Sequence, residues 1–323
     1  MPSRLAGALV LLALATAAPA ASAQDYPTRP IRMVIAFPAG GPTDFIGRLL
    51  ADKLKDSLGQ VIVENKPGAN GAIGADFVAK SPPDGYTLFL TTVGAVAITP
   101  NMRRDLPYDV LRDFAPVTLV VRNTTVLVVR KDSPVNSVKD LVEQAKAKPG
   151  QIPFASTGVG STTHLALELL QNAAGVKFVH VPYRGAAPAL TDLLGGQVQA
   201  FFADVPVLLP QINGGKIKPL GAASDSRNPK LPDVRTLAEQ GYPNTASDNW
   251  YGLLAPAKTP PAIVAKLNAA FTQAINDPAT KQKLIDSGAV PAPNTPAEFG
   301  QMLKGEIERW GKLVREKGLA ESR

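Results

Sequence analysis

A strand that runs into a glycine turn and then into a helix constrains this chain more than any other feature. Residues 31–37 are an apolar run. Phe37-Pro38-Ala39-Gly40-Gly41-Pro42-Thr43-Asp44 is the turn. Residues 45–58 are amphipathic, with Phe45, Ile46, Leu49, Leu50, Leu54 and Leu58 on one face. The turn leaves backbone N–H groups unpaired at a helix N-terminus, where the helix dipole also favours negative charge. Pro42 suits the first turn because its missing N–H would find no partner there. On the loop alone two readings stay open: half of an anion-binding cleft, or an ordinary capped turn of an α/β domain.

The pattern continues along the chain. Residues 61–63 and 86–92 read as strands, with a helix over 72–80 between them. Such alternation predicts a parallel sheet with helices on both faces. Ligands of such sheets sit at the carboxyl ends of strands, which points at residues 37–44 and at Thr91-Thr92-Val93-Gly94. After Asp113 the plan restarts with strands over 117–121 and 125–129 and a helix over 137–148. Then Ser156-Thr157-Gly158-Val159-Gly160-Ser161-Thr162-Thr163-His164 leads into an apolar helix, again from strand through small-residue loop to helix N-terminus. Strands over 176–181, 198–202, 218–223 and 250–254 follow, with helices over 187–194 and within 231–241. Long amphipathic helices over 260–276 and 296–317, with no strand between them, should pack back on the first domain. The expected fold is α/β and two-lobed. Residues 24–124 and 248–323 form one lobe and 125–247 the other, hinged where the chain crosses near 121–128 and 244–250.

The first 23 residues read as a secretory signal peptide: Arg4, an apolar core over 5–18, and Ala21-Ser22-Ala23 as a cleavage site before Gln24. The core is too short for a membrane span, and no other stretch approaches about 18 consecutive apolar residues. The chain has no cysteine, which excludes a disulfide and a lipid-modified cysteine anchor. A soluble, exported protein is expected, most simply in the periplasm of a Gram-negative bacterium. With Arg4 set aside, 33 basic and 27 acidic residues leave a net charge near +6. The basic residues are scattered, with no run of five, which argues against a nucleic-acid-binding stripe. The mild positive field either concentrates anionic ligands or serves solubility. No Cys/His cluster exists for a soft metal, and neither metal nor cofactor is expected.

Within the second loop, the hydroxyls of Ser156, Thr157, Ser161, Thr162 and Thr163 suit a carboxylate, and Gly158 and Gly160 let backbone approach it closely. Alternatively Ser161 or Thr162 merely caps the helix. His164 lies just inside that helix, where the dipole disfavours its charged form. It reads either as a neutral donor to a ligand or as a structural histidine that orders the loop. His180, between Val179 and Val181, reads as structural. Asp44 is either a ligand contact or a first-turn acid. Asp204, at a strand end without a local role, is the better ligand contact and could receive an amine or a hydroxyl. Tyr183-Arg184-Gly185 offers a phenol and a guanidinium, the latter otherwise a surface charge. A secreted hydrolase would need Ser156 or Ser161 with His164 or His180 and Asp204 as a triad. The chain lacks a G-x-S-x-G elbow, a P-loop and a G-x-G-x-x-G fingerprint, so catalytic residues are not assigned.

Several segments, in order and over nearly the whole of residues 24–323, resemble the tripartite tricarboxylate receptor (Bug) family of periplasmic solute-binding proteins. They include Tyr26-Pro27-Thr28-Arg29-Pro30-Ile31, Phe37-Pro38-Ala39-Gly40-Gly41 with Asp44, and Val63-Glu64-Asn65-Lys66-Pro67-Gly68-Ala69-Asn70-Gly71. The others are Pro83-Asp84-Gly85-Tyr86-Thr87-Leu88, Ser156-Thr157-Gly158 with Gly160-Ser161 and His164, Val181-Pro182-Tyr183-Arg184-Gly185, and Trp250-Tyr251-Gly252-Leu253-Leu254-Ala255-Pro256. The resemblance implies a clamp of the type II-like periplasmic-binding-protein architecture. A ligand carboxylate would be held between loops of both lobes, partly through ordered waters. First-lobe contacts would come from residues 37–44, including Phe37, Ala39, Gly40, Thr43 and Asp44, and from Thr91 and Thr92. Second-lobe contacts would come from Ser156, Thr157, Gly158, Ser161, Thr162, His164, Tyr183 and Asp204. The ligand would be a small organic acid or an amino acid. The receptor, expected to be a monomer, would hand it to a membrane permease or inform a sensor.

Overall fold

A computed structural model describes residues 26–320; the expected signal peptide over 1–23 lies outside the described residues. The strands are β1 (Ile31–Ile35), β2 (Val61–Asn65), β3 (Thr87–Thr92), β4 (Phe114–Asn123), β5 (Thr125–Arg130) and β6 (Pro153–Ser156). They continue with β7 (Val179–Pro182), β8 (Ala200–Asp204), β9 (Ile217–Ala222), β10 (Asn249–Pro256) and β11 (Val290–Pro291). Two sheets result, ordered β11-β4-β10-β3-β1-β2 and β7-β6-β8-β5-β9. The chain passes from the first sheet to the second between Asn123 and Thr125 and returns ahead of Asn249.

The sheets are mixed, which corrects the expectation of a parallel one. β1 is parallel to β2 and β3, and β6 to β7 and β8, but β10 and β5 run antiparallel to both neighbours. Each is the strand by which the chain arrives from the other sheet. β10 enters from the opposite end between β3 and β4, which precede it, whereas β5 is the first strand of its sheet and β8 and β9 later add antiparallel on either side.

Each sheet is covered on both faces. On the first, Ile46 and Leu50 of helix Pro42–Lys53 pack with Leu267 and Phe271 of helix Pro261–Asn276 against Met33, Leu90 and Tyr251. The opposite face carries Ala75 and Val78 of helix Ala72–Ala79 with Phe299, Leu303 and Trp310 of helix Pro296–Glu316. Burying one such Leu or Phe stabilises by about 1.5–3 kcal/mol. Phe45 does not join the buried face and is 45% exposed. Gly47 is the reason: a Cβ there would lie 2.6 Å from Ile35 Cδ1, so the helix sits on β1 along the line Thr43–Gly47–Leu50 and Phe45 turns outward.

Several local elements differ from expectation. A π-helical turn (Gly94–Ile98) and helix Thr99–Met102 follow β3, and helix Val205–Asn213 follows β8 despite Pro206 and Pro210. Only a 3₁₀ turn, Ala238–Gln240, occupies the segment expected as a helix within 231–241. Helix Pro278–Asp286 and the two-residue β11 lie between the last two long helices, where no strand was expected. Val290 and Pro291 pair with the edge of β4, a contact 168 or more residues away in sequence that no local pattern announces. No helix among the described residues is long and apolar enough to cross a membrane.

Candidate functional site

The first-lobe loop is held from within. Gly41 caps helix Pro42–Lys53 without a side-chain hydrogen bond. The amides of Thr43 and Asp44 sit in the first turn, beyond reach of any carbonyl of their own helix, and no protein acceptor meets them among the described residues. Asp44 is turned inward. Its Oδ2 accepts from the Gly40 amide at 3.0 Å and from Arg48 Nε at 2.9 Å, and its Oδ1 accepts from Asn65 Nδ2 at 3.0 Å. The Asn65 amide also donates to the Phe37 carbonyl at 3.0 Å. Burial opposes the charge on Asp44, but the hydrogen bonds from Arg48, Gly40 and Asn65 outweigh it and hold the carboxyl below its ordinary range. Of the two sequence readings of Asp44, the structural one describes these contacts. Phe37 is half-buried, Ala39 and Gly40 are exposed, and Thr43 is buried.

Thr91 and Thr92 point to opposite faces of the sheet. Thr92 pairs with Tyr251 and lies near Gly94, whereas Thr91 pairs with Gly252 on the face covered by Phe299. The Thr91 hydroxyl is fully buried and has no hydrogen-bond partner.

The second-lobe loop is a lattice of short bonds. Ser161 caps helix Thr162–Ala174 by accepting from the His164 amide, and its hydroxyl donates to the Gly158 carbonyl at 2.6 Å. Thr163 Oγ1 accepts from the Thr157 amide at 2.8 Å and lies 3.0 Å from Thr157 Oγ1 and 2.9 Å from Ser161 Oγ. The amides of Thr162 and Thr163 are the first-turn donors, and no protein acceptor meets them among the described residues. Gly158 has φ +135°, and a Cβ on it would lie 3.3 Å from the Tyr183 carbonyl oxygen, so glycine is required there.

Two histidines support this loop from behind. The His164 and His180 rings stack with centroids 4.1 Å apart and planes 11° apart. His164 Nδ1 accepts from the Gly160 amide, and His180 Nε2 lies 2.6 Å from Ser156 Oγ. Burial, then the neighbouring His180, pushes His164 down to about 4, and burial lowers His180 as well. Both rings are therefore neutral near pH 7, and the Gly160 amide ties His164 to the loop. The Tyr183 phenol donates to Asp192 Oδ2 at 2.7 Å, while its backbone N–H donates to the Ser156 carbonyl at 3.0 Å.

Asp204 stands where both chain crossings meet. Its Oδ2 accepts from Asn249 Nδ2 at 2.7 Å and the Tyr251 hydroxyl at 3.2 Å, and its Oδ1 from Thr125 Oγ1 at 3.3 Å. The Thr43 hydroxyl lies beside the Tyr251 hydroxyl, which places the first-lobe loop next to the polar group around Asp204. Burial raises Asp204 to about 6 against these three donors. A carboxyl raised above its unfolded value of 3.8 contributes stability that is full below that value and lost as pH rises through 6. The full loss is about 3 kcal/mol. The lowered histidines contribute the opposite slope, gaining stability as pH rises from about 4 toward 6.5, so a difference measurement is needed. Asp204→Asn is expected to remove about 1 kcal/mol of pH-dependent loss between pH 5 and 7 relative to the unsubstituted protein. Urea unfolding of both proteins at the two pH values checks this, and parallel pH profiles would contradict it.

No triad forms. Ser156 contacts His180, but Ser156 is fully buried and Asp204 binds neither histidine. No cluster of three or more His, Cys, Asp or Glu placed to hold a metal occurs among the described residues. The loops of the two lobes do meet. Asn70 Nδ2 donates to the Gly160 carbonyl at 2.8 Å, and Leu165 packs into the first-lobe core. Asn70, Asn249 and Tyr251 were not singled out from the sequence as site residues, because only their partners, 45 to 90 positions away, give them a role.

A family model described as tripartite tricarboxylate transporter family receptor matches residues 46–319. Protein BugT of Bordetella pertussis is 40% identical over 311 residues, covering 96% of this chain and 95% of that protein. The solved periplasmic binding protein BugD matches with a TM-score of 0.86 at 35% identity, over 92% of this chain and 100% of that one. The R. palustris protein Rpa4515, solved with adipate, matches with a TM-score of 0.87 at 36% identity, over 92% of this chain and 99% of that one. The two-lobed α/β architecture expected from the sequence is the architecture of these structures.

Proposed function

The chain belongs to the tripartite tricarboxylate transporter receptor family, and on that premise we propose that it is a periplasmic receptor that captures a small carboxylate between its two lobes. One observation carries the reading: two pairs of unpartnered amides, Thr43 with Asp44 and Thr162 with Thr163, at helix N-termini in separate lobes. A carboxylate has two oxygens and about four acceptor positions, so it can take donors from both sides, and both helix dipoles favour its charge. Contacts to both lobes exist only when they are closed, so the ligand favours closure by its differential affinity.

The lobes are residues 24–124 with 248–323, and residues 125–247, hinged at the two chain crossings. Ala39, Gly40, Thr43 and Thr92 of one and Thr157, Gly158, Ser161 and Thr162 of the other face the ligand. Asp44, Ser156, His164 and Asp204 build the walls. The protein binds without turning its ligand over, since the seryl hydroxyl nearest a histidine is buried. It is exported with cleavage before Gln24 and, as a monomer, delivers its ligand to a membrane permease.

The test is a thermal-shift panel on unfolded and refolded protein, freed of any carried-over ligand. The panel holds C3 to C6 mono-, di- and tricarboxylates, amino acids and aromatic acids. A ligand at about 100 times its dissociation constant stabilises by about 2.7 kcal/mol. For a chain of this size that is a rise of about 4–5 °C. A selective rise with one acid class names the substrate class. Equal shifts with neutral analogues would count against the reading.

A further inference from the structure

Asn70 lies in the 3₁₀ turn Ala69–Gly71, where the successive residues Gly68, Ala69, Asn70 and Gly71 have φ values of 134°, 48°, 49° and 95°. Side chains disfavour this region, and a run through it persists only where the surroundings impose it. The surroundings do so here. Asn70 Nδ2 donates one hydrogen to Thr99 Oγ1 at 2.9 Å within its own lobe. The other goes across the cleft to the Gly160 carbonyl at 2.8 Å. Gly94 lies against the amide, where a Cβ would come within 3.2 Å of Nδ2. Across the cleft Gly160 has φ +75°, and a Cβ there would lie 2.9 Å from Met102 Sδ. Both sides of the contact are cut to backbone dimensions.

We propose that Asn70 is a latch: its braced amide draws the Gly160 carbonyl onto the first lobe and closes the cleft whether or not a ligand is present. It is thereby a positioning residue. It sets the Gly158–Ser161 loop, and the helix N-terminus that follows, at the spacing a shared ligand requires. The effect on ligand retention rests on the receptor reading above; the effect on closure does not.

The chain has no cysteine, so cysteines placed at exposed Lys55 and Lys139, one in each lobe, accept a donor–acceptor dye pair without background labelling. Asn70→Gly suits the left-handed backbone and removes only the amide. In ligand-free protein it is expected to lower the closed-to-open ratio about three- to tenfold, the size of one hydrogen bond. Gly160→Ala is expected to lower it further, because its methyl meets Met102 only in the closed form. Thr99→Val, which leaves the amide but removes its brace, is expected to act in the same direction with a smaller effect. An unchanged ratio in Asn70→Gly overturns the latch. With malate and adipate as probes, release from Asn70→Gly is expected to be about three- to tenfold faster. If neither probe binds the unsubstituted protein, the receptor reading loses support, while the ligand-free ratio still decides the latch.

Discussion

Gly252→Ala is expected to lower the melting temperature by about 5 °C, and Gly252→Val to leave little folded protein. Gly252 lies in β10, the strand by which the chain returns to the first sheet and which joins β3 to β4. A Cβ there would lie 2.2 Å from Phe299 Cζ and within 3.0 Å of two further ring carbons. The ring cannot swing aside. Phe299 is fully buried in helix Pro296–Glu316, edge-on to Trp250 at 5.6 Å, and Trp250 Nε1 is bonded to Glu306 of the same helix. Overpacking of this kind costs about 1–3 kcal/mol, and the overlap here puts alanine at the upper end. For a chain of about 300 residues that corresponds to about 5 °C. Calorimetry of Gly252→Ala measures it, and Phe299→Leu in the same chain should recover part of the loss. A Gly252→Ala protein as stable as its parent would mean that the helix does not press on β10 as described.

Asp44→Ala is expected to weaken binding of any recognised acid by at least about tenfold and to destabilise the protein by about 2–4 kcal/mol. Removing the carboxylate takes the acceptor from the Gly40 amide, one of two acceptors from the Asn65 side chain, and the ionic partner from Arg48. The loop that presents the Thr43 and Asp44 amides then loses its internal tie, so the effect on binding is indirect. Asp44→Asn separates charge from shape. It keeps acceptors for Arg48 and Gly40 but removes the ionic contribution, and is expected to fall between the two proteins in both stability and affinity. Wild-type affinity in a folded Asp44→Ala protein would show that the loop does not need this tie.

The two loops were legible because their signal is local. Gly40-Gly41-Pro42 and Gly158-Val159-Gly160-Ser161 each stand between an apolar strand and an amphipathic helix, and backbone physics alone then places free amides there. The use made of each polar side chain was not legible. Asp44 reads alike as a ligand contact and as a tie until Asn65, 21 residues on, is seen to donate to it. Asp204 is defined by Thr125, Asn249 and Tyr251, and Asn70 by Gly160, all distant in sequence. The bond from the Gly160 amide to His164 Nδ1 ties the ring to the loop, a contact that the sequence does not show. Strand direction failed for a related reason: local periodicity marks β5 and β10 as strands but is silent on the lobe from which the chain arrives.

The central claim is that helix N-termini of both lobes seat a carboxylate, and its charge is the property to vary. Titration calorimetry of refolded protein with the acid that gives the largest thermal shift, and then with its methyl ester, isolates that charge at nearly constant shape. Binding heat from the acid and none from the ester at the same concentration is the expected result. Equal binding of acid and ester would contradict the account, because two amide pairs at dipole-positive helix ends would then contribute nothing to recognition.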